Sequence, residues 1–438
     1  MENQQINTTI ETKSSPKGWL QRLKEESWEA ELLVSAIAIF GTFKLFDIIG
    51  WGTNMFIDVL NPNQYLIGYF IIAIGLLAVS ILAAMFLIHF FLRAYWIGLV
   101  GLNSVFPDYS IEDSAYSKIY TEKILSILPR LKDSIQKVDE LCSVIFSVAF
   151  TVLLMYAYMS VFVSLYLLVF NLMSAFVAWY ILLIPAIFLL LCLLSQMVIT
   201  FIANIKSNRE KEKLQILSFK VNKFASKVLY GPLYKSILQV TMIFGSNFKK
   251  KKALIYLLLS FLFLGIFVFG NQITKTNIFY LIVHKKYFNS TKVYSSFYKN
   301  DNTTNTFLLT PEIESDKVET EVLKVFIPVF KHEEKMRTEF CGEDKADSEE
   351  SLGKRREEYS KYVLNCFKKY YQVYINEEKI DVEFLRQNAH GRTNQTGIIS
   401  YLDIAHLKKG MHKIEVKKQY KDTEILNWKI PFYYIPKK

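Results

Sequence analysis

Apolar positions in this chain gather into long charge-free blocks and then break up into short alternating runs. Tyr65–His89 lies inside a charge-free stretch from Val59 to Leu92, and Ala253–Gly270 inside another from Ala253 to Thr274. Between them, Leu141 to Ile205 is a run of 65 residues without one Asp, Glu, Lys or Arg. A helix needs about 20 mostly apolar residues to cross roughly 30 Å of hydrocarbon, so the long run predicts two spans, near Leu141–Val169 and Ala178–Ile202. Asn171, Met173 and Ser174 mark the hairpin between them. A fifth span is predicted over Ala30–Ile49, with Glu31, Lys44 and Asp47 near its ends and an apolar centre from Leu32 to Phe43; the alternative is that it lies in the interface, which leaves four spans and moves the N-terminus outside. The chain therefore reads as an α-helical integral membrane bundle of about five spans over residues 30–275. A polar segment, 1–29, precedes it, with no short apolar core and cleavage site of a signal peptide.

Basic residues in the connections predict the orientation. Lys206–Lys252 carries 12 Lys and Arg against Glu210 and Glu212, and Arg93–Glu140 carries six basic residues, whereas Trp51–Gln64 and Asn171–Val177 carry none. Loops 93–140 and 206–252 are expected in the cytoplasm together with the N-terminus, and the C-terminal region outside. Both loops show helical stripes. Tyr116, Tyr120, Ile124, Ile127, Leu131, Ile135 and Val138 share one face, with Pro129 set to kink or divide the helix. Leu214, Leu217, Val221, Phe224 and Val228 share another, ended by Gly231 and Pro232 and followed by a second helical stretch, Leu233–Phe244. Lys220, Lys223 and Lys227, with Lys249, Lys250, Lys251 and Lys252 at the next membrane entry, are candidates for the anionic lipids of the inner leaflet. The alternative is that the apolar stripe packs on the other helix and the lysines only set topology.

From about Thr276 to the C-terminus the signal changes to period-two alternation. Gln372–Ile375 and Ile380–Phe384 flank the turn residues Asn376–Lys379, Ile414 and Val416 follow Lys409 and Gly410, and another strand lies between Glu321 and Phe330. Trp428–Ile435 reads as a terminal strand that Pro431 confines to an edge. Arg356–Tyr370 is helical by its Tyr359, Val363, Phe367 and Tyr370 stripe. Residues 276–438 are thus expected to form a mainly β extracytoplasmic domain, a β-sandwich of immunoglobulin-like kind with a helical insertion. Cys341 and Cys366, the two cysteines of this region, should be joined in an oxidising compartment, while Cys142 and Cys192 lie in spans as small apolar residues.

Composition narrows the function classes. A hydrophobic fraction of 51%, a mean hydropathy of +0.19 and a net charge of +11 exclude a disordered chain. The basic excess sits almost wholly in 206–252, where topology accounts for it, and no zinc, helix-turn-helix or RNP-like pattern points to nucleic acid. Nine Arg against 43 Lys suggest a low-GC bacterial membrane protein. No zincin motif, phosphate-cradling loop, nucleophile elbow, C-x-x-C pair or dinucleotide fingerprint occurs, so no cofactor or catalytic residue is expected. Glu333 and Glu334 with Arg337 lie outside any span, and Asp403, His406 and His412 read as surface residues. Glu31, Lys44, Asp47 and His89 are the candidate intramembrane polar residues, with Lys44 and Asp47 spaced for a local ion pair. The expected function is a non-enzymatic membrane protein whose external domain binds a ligand or envelope partner, as scaffold or sensor. A transporter or pore subunit using the bundle is the rival. The candidate partners are the bilayer, an envelope protein or ligand at the external domain, and a second copy of the chain.

Overall fold

A computed structural model of the protein describes residues 16–106, 115–173, 176–247, 251–287, 292–301, 307–333, 341–342, 352–420 and 424–436. The chain divides into two compact units, Met1–Asp47 with Gly75–Gln272, and Ile48–Ile74 with Ile273–Lys438.

The first unit is helical. Its elements are α1 (Pro16–Val59) and α2 (Tyr65–Val105), both of which run on into the second unit, then α3 (Lys118–Ile127), α4 (Leu131–Met173), α5 (Trp179–Leu182), α6 (Ile184–Asn204), α7 (Glu212–Tyr230), α8 (Tyr234–Asn247) and α9 (Lys251–Ile273). Four helical stretches, Ala30–Val59, Pro62–Val105, Lys118–Phe170 and Tyr180–Asn204, are long and apolar enough to cross a membrane. The fifth expected span is α9, whose described apolar portion, Leu259–Ile273, is shorter than those four. Leu82, Met85 and Phe86 of α2, Ile145 and Ala149 of α4 and Phe261 of α9 form one buried cluster. Gly265 admits close contact there, because a Cβ at this position would fall 2.6 Å from Ile81 Cγ1.

Prolines act as their backbone chemistry requires. Pro129 divides α3 from α4, since it can neither donate to the ladder nor let the preceding residue stay helical. The apolar stretch Tyr180–Asn204 is interrupted at Leu183, between α5 and α6, and Pro185 follows in the first turn of α6, where its missing N–H costs nothing.

Three expectations change. Trp51–Val59 is helical rather than part of a loop, because Phe56, Ile57 and Leu60 are held in a hydrophobic cluster. The helix holding Tyr65–His89 runs on to Val105 through Arg93, the expected start of the loop 93–140, with Arg93 buried and paired. The packed face of α7 is also not the apolar stripe. Leu217 and Phe224 are 49% and 56% exposed, while Ser218, Ala225, Ser226 and Leu229 are buried. The reason lies on α6, whose Thr200 hydroxyl donates to Asn222 Oδ1 at 3.0 Å and whose Gln196 amide donates to Ser226 Oγ at 3.4 Å. Small and polar side chains let two helices approach and bond, so they win the interface.

The second unit adds α10 (Tyr280–Tyr287), β1 (Glu312–Ile313), β2 (Lys317–Val318), β3 (Val322–Pro328), α11 (Leu352–Tyr370), β4 (Tyr371–Ile375), β5 (Glu378–Ile380), β6 (Leu385–Gln387), β7 (Gly397–Asp403), β8 (Gly410–Tyr420) and β9 (Glu424–Tyr434). The strands form two sheets, ordered β1-β3-β7-β6 and β2-β9-β8-β4-β5. One apolar core draws on both sheets and on α11, with Val325, Val373, Ile398, Ile414, Val416 and Ile430 fully buried. The β4–β5 turn is tighter than alternation alone suggests: Asn376 and Glu377 have φ of 48° and 75°, the pair of positive values a two-residue hairpin turn needs. Pro431 pairs with Lys413 of β8, and β9 is not an edge by strand order. Its other side is covered by β2 only at Tyr433 and Tyr434, so the position of Pro431 is still one where no ladder donor is needed. At Gly397 a Cβ would lie 2.5 Å from the Ile327 carbonyl oxygen, which accounts for a glycine inside β7.

Candidate functional site

In the second unit the end of α1 and the start of α2 are part of the β region's packing. Ile57, Leu60 and Tyr65 form a buried cluster with Tyr280, Leu281, Leu309 and Phe330. Four consecutive residues make the junction. Phe330 stacks on Phe307 at 5.9 Å and on His332 at 5.6 Å between ring centroids. The Lys331 backbone N–H donates to Asp58 Oδ1 at 2.9 Å, and its ammonium pairs with Asp58 Oδ2 at 3.2 Å. His332 Nδ1 lies 3.2 Å from the Asp58 carbonyl oxygen, which can only accept, so this nitrogen carries the proton. That contact also places a donor on one of the open carbonyls at the C-terminal end of α1.

Glu333 points the other way, into the β region. It is buried, pairs with the Lys418 ammonium of β8 and accepts a hydrogen bond from Tyr371 Oη at 2.9 Å. The Lys418 ammonium lies 5.5–5.8 Å from the ring centroids of Phe330, Tyr370 and Tyr371. Burial lowers the Lys418 pKa to about 7 and raises that of Tyr371 well above 10. The Glu333 carboxylate and the ring faces oppose the loss of the Lys418 charge.

Beside this junction opens a groove of about 830 Å³. One wall is the last turns of α1, where Trp51 and Met55 share one face and Asn54 and Asp58 the next. The other wall is Phe307, Lys331, Arg386 and the β6–β7 loop from Thr393 to Thr396. Trp51 is 64% exposed, so the groove offers an aromatic and a thioether on one side and cationic and amide groups on the other. The loop is braced. Gln395 uses both ends of its amide on the Leu308 backbone, at 2.6 and 2.9 Å, and Asn394 takes a φ of 58°, which asparagine tolerates.

The same loop separates the groove from a second cavity of about 490 Å³, lined among others by Lys299, Glu312, Lys324, Phe326, His390 and Arg392. Glu312 is buried against Arg392, with His390 Nε2 at 3.2 Å. Burial raises the Glu312 pKa against the pull of Arg392, and burial together with Arg392 lowers that of His390.

The residues expected from the sequence fall into four groups. Cys341 and Cys366 are joined, with Cα atoms 5.9 Å apart. Lys44 and Asp47 make their local pair at 3.0 Å on an exposed surface. Glu31 and His89 enter a polar cluster of the helical unit. Arg93, 1% exposed, pairs with Glu31 at 3.0 Å and Asp139 at 2.6 Å and lies 4.5 Å from the Trp96 ring, while His89 Nδ1 lies 2.7 Å from Ser35 Oγ. Lys220, Lys223 and Lys227 are exposed on α7, Lys251 and Lys252 open α9, and Lys249 and Lys250 lie outside the described residues. Glu334 and Arg337 also lie outside them. Asp403 caps the Ala405 N–H and His412 bonds Asn376 and the Lys408 carbonyl. Among the described residues no group of three or more His, Cys, Asp or Glu is placed to hold a metal. Sequence reasoning set Glu333 aside and missed Arg93, Lys418 and the whole groove; the one available signal for the groove was Trp51, an aromatic at the end of an apolar helix. The chain matches no family model, no curated protein and no solved structure.

Proposed function

We propose that this is a non-enzymatic membrane receptor or sensor, with its N-terminus in the cytoplasm and its β region, a sandwich of immunoglobulin-like kind, outside. The β region binds an amphiphilic envelope molecule in the groove at the end of α1. One observation carries the proposal: the groove is amphipathic and one wall is the end of a helix apolar enough to span, so an occupant contacts that helix directly. Trp51 and Met55 suit an acyl chain arriving from the bilayer surface, and Lys331 and Arg386 suit a polar or anionic headgroup. The Asp58 junction then passes occupancy to α1, a helix that also carries Glu31.

A photoreactive amino acid in place of Trp51 should crosslink to an envelope amphiphile in cells. Trp51→Ala and Arg386→Ala should each weaken capture about tenfold, close to 1.4 kcal/mol. Absence of any adduct, with the protein folded and inserted, would sink the reading. The rival transporter rests on buried Arg93 and its partly exposed partners Glu31 and Asp139, since charged groups inside a helical bundle often mark an ion path. Flux that survives deletion of 276–438 would favour it.

Orientation is tested separately. A Cys introduced at Thr303 should react with an impermeant thiol reagent in intact cells or spheroplasts. One at Lys211, just before α7, should react only after permeabilisation.

A further inference from the structure

We propose that α7 and α8 form a re-entrant hairpin dipping into the inner leaflet, where Lys220, Lys223 and Lys227 hold the phosphates of anionic lipids. Three observations point there. The tip of the hairpin, Gly231, packs against the Tyr158 hydroxyl of α4 with no room for a Cβ, and Tyr158 stands near the middle of the apolar stretch Leu141–Met173. The bed of α7 is α6, through Thr200–Asn222, Gln196–Ser226 and the Gln215 amide on the Ala203 carbonyl at 2.9 Å. On that part of α6 the other faces are lipid-like, with Met197, Val198 and Phe201 between 55% and 74% exposed.

A helix laid along such a surface is at membrane depth, not in the cytoplasm. Its own exposed side agrees: Leu217, Phe219 and Phe224 are 49–63% exposed and flank the lysines, which at 100° per residue lie opposite the packed Ser218, Ala225 and Leu229. In water this would be an open apolar patch. In the leaflet the apolar side chains meet acyl chains, and the lysine stems reach back to the phosphate layer. The packed face satisfies the polar groups that a hairpin tip inside a bilayer requires. Both ends of the hairpin stay on the basic side, as the charge count demands.

The full chain is to be studied in nanodiscs of phosphatidylcholine with and without phosphatidylglycerol. Spin labels go on Pro232→Cys, Phe224→Cys and Lys211→Cys, with the wild type, whose free Cys142 and Cys192 are buried, as labelling control. Labels at 232 and 224 should collide more with oxygen than with an aqueous nickel complex, and the label at 211 the reverse. Aqueous behaviour at 232 would overturn the hairpin. Native mass spectrometry of the Lys220/Lys223/Lys227→Gln variant should show retained phosphatidylglycerol reduced several-fold. Unchanged retention, or loss of self-association in place of lipid, would overturn the lipid assignment.

Discussion

Lys418→Ala should destabilise the β region by about 3–5 kcal/mol, the usual cost of leaving one member of a buried charge pair without its partner. Glu333 would keep only the Tyr371 hydroxyl, and the lysine stem would vacate the space among Phe330, Tyr370 and Tyr371. The double replacement Glu333→Leu/Lys418→Met should recover most of that loss, because well-packed apolar pairs replace buried ion pairs at little cost. Chemical unfolding of the full chain in detergent, followed at Trp428, measures both. The same lysine predicts a pH dependence. It titrates at about 7 when folded and at 10.5 when unfolded, so between those values the unfolded chain binds the extra proton and stability rises with pH. A flat profile over that window, in wild type and Lys418→Met alike, would mean that Glu333 keeps the lysine charged.

Removing the disulfide should cost roughly 3 to 4 kcal/mol by the chain-entropy estimate for a loop of this size, less whatever order the unfolded loop retains. Cys366 is 3% exposed on α11 beside Val363 and Phe367, so Cys341→Ser/Cys366→Ser also loosens the helix that covers the β core. Non-reduced digestion of protein from an oxidising compartment should release one linked peptide pair. Free thiols at both positions would remove the bridge and its structural role.

Local rules made a good part of the fold legible. The break at Pro129, the corner at Gly231 and Pro232, the Lys44–Asp47 pair and the β4–β5 hairpin each depend on residues within a few positions of one another. The cysteine pairing followed from count and compartment. What failed was the choice of face on α7, where periodicity identified the apolar stripe but could not know that α6 would offer Thr200 and Gln196 to the face beside it. The end of α1 failed for a similar reason: Trp51–Gln64 looks like a polar loop until Phe330 and Tyr280 supply partners for Ile57 and Leu60.

By itself the sequence determined the long apolar helices, the basic connections between them and the alternating strands that follow, because hydropathy, charge and period are properties of short windows. Only the tertiary structure decided which charges are neutralised and where a ligand fits. Arg93 finds Glu31 and Asp139 across 62 and 46 positions, Lys418 finds Glu333 across 85, and the groove joins a helix end to a distant loop. These depend on which surfaces meet when the chain packs, and burial, which sets the strength of a charge and the shape of a cavity, exists only after they have met.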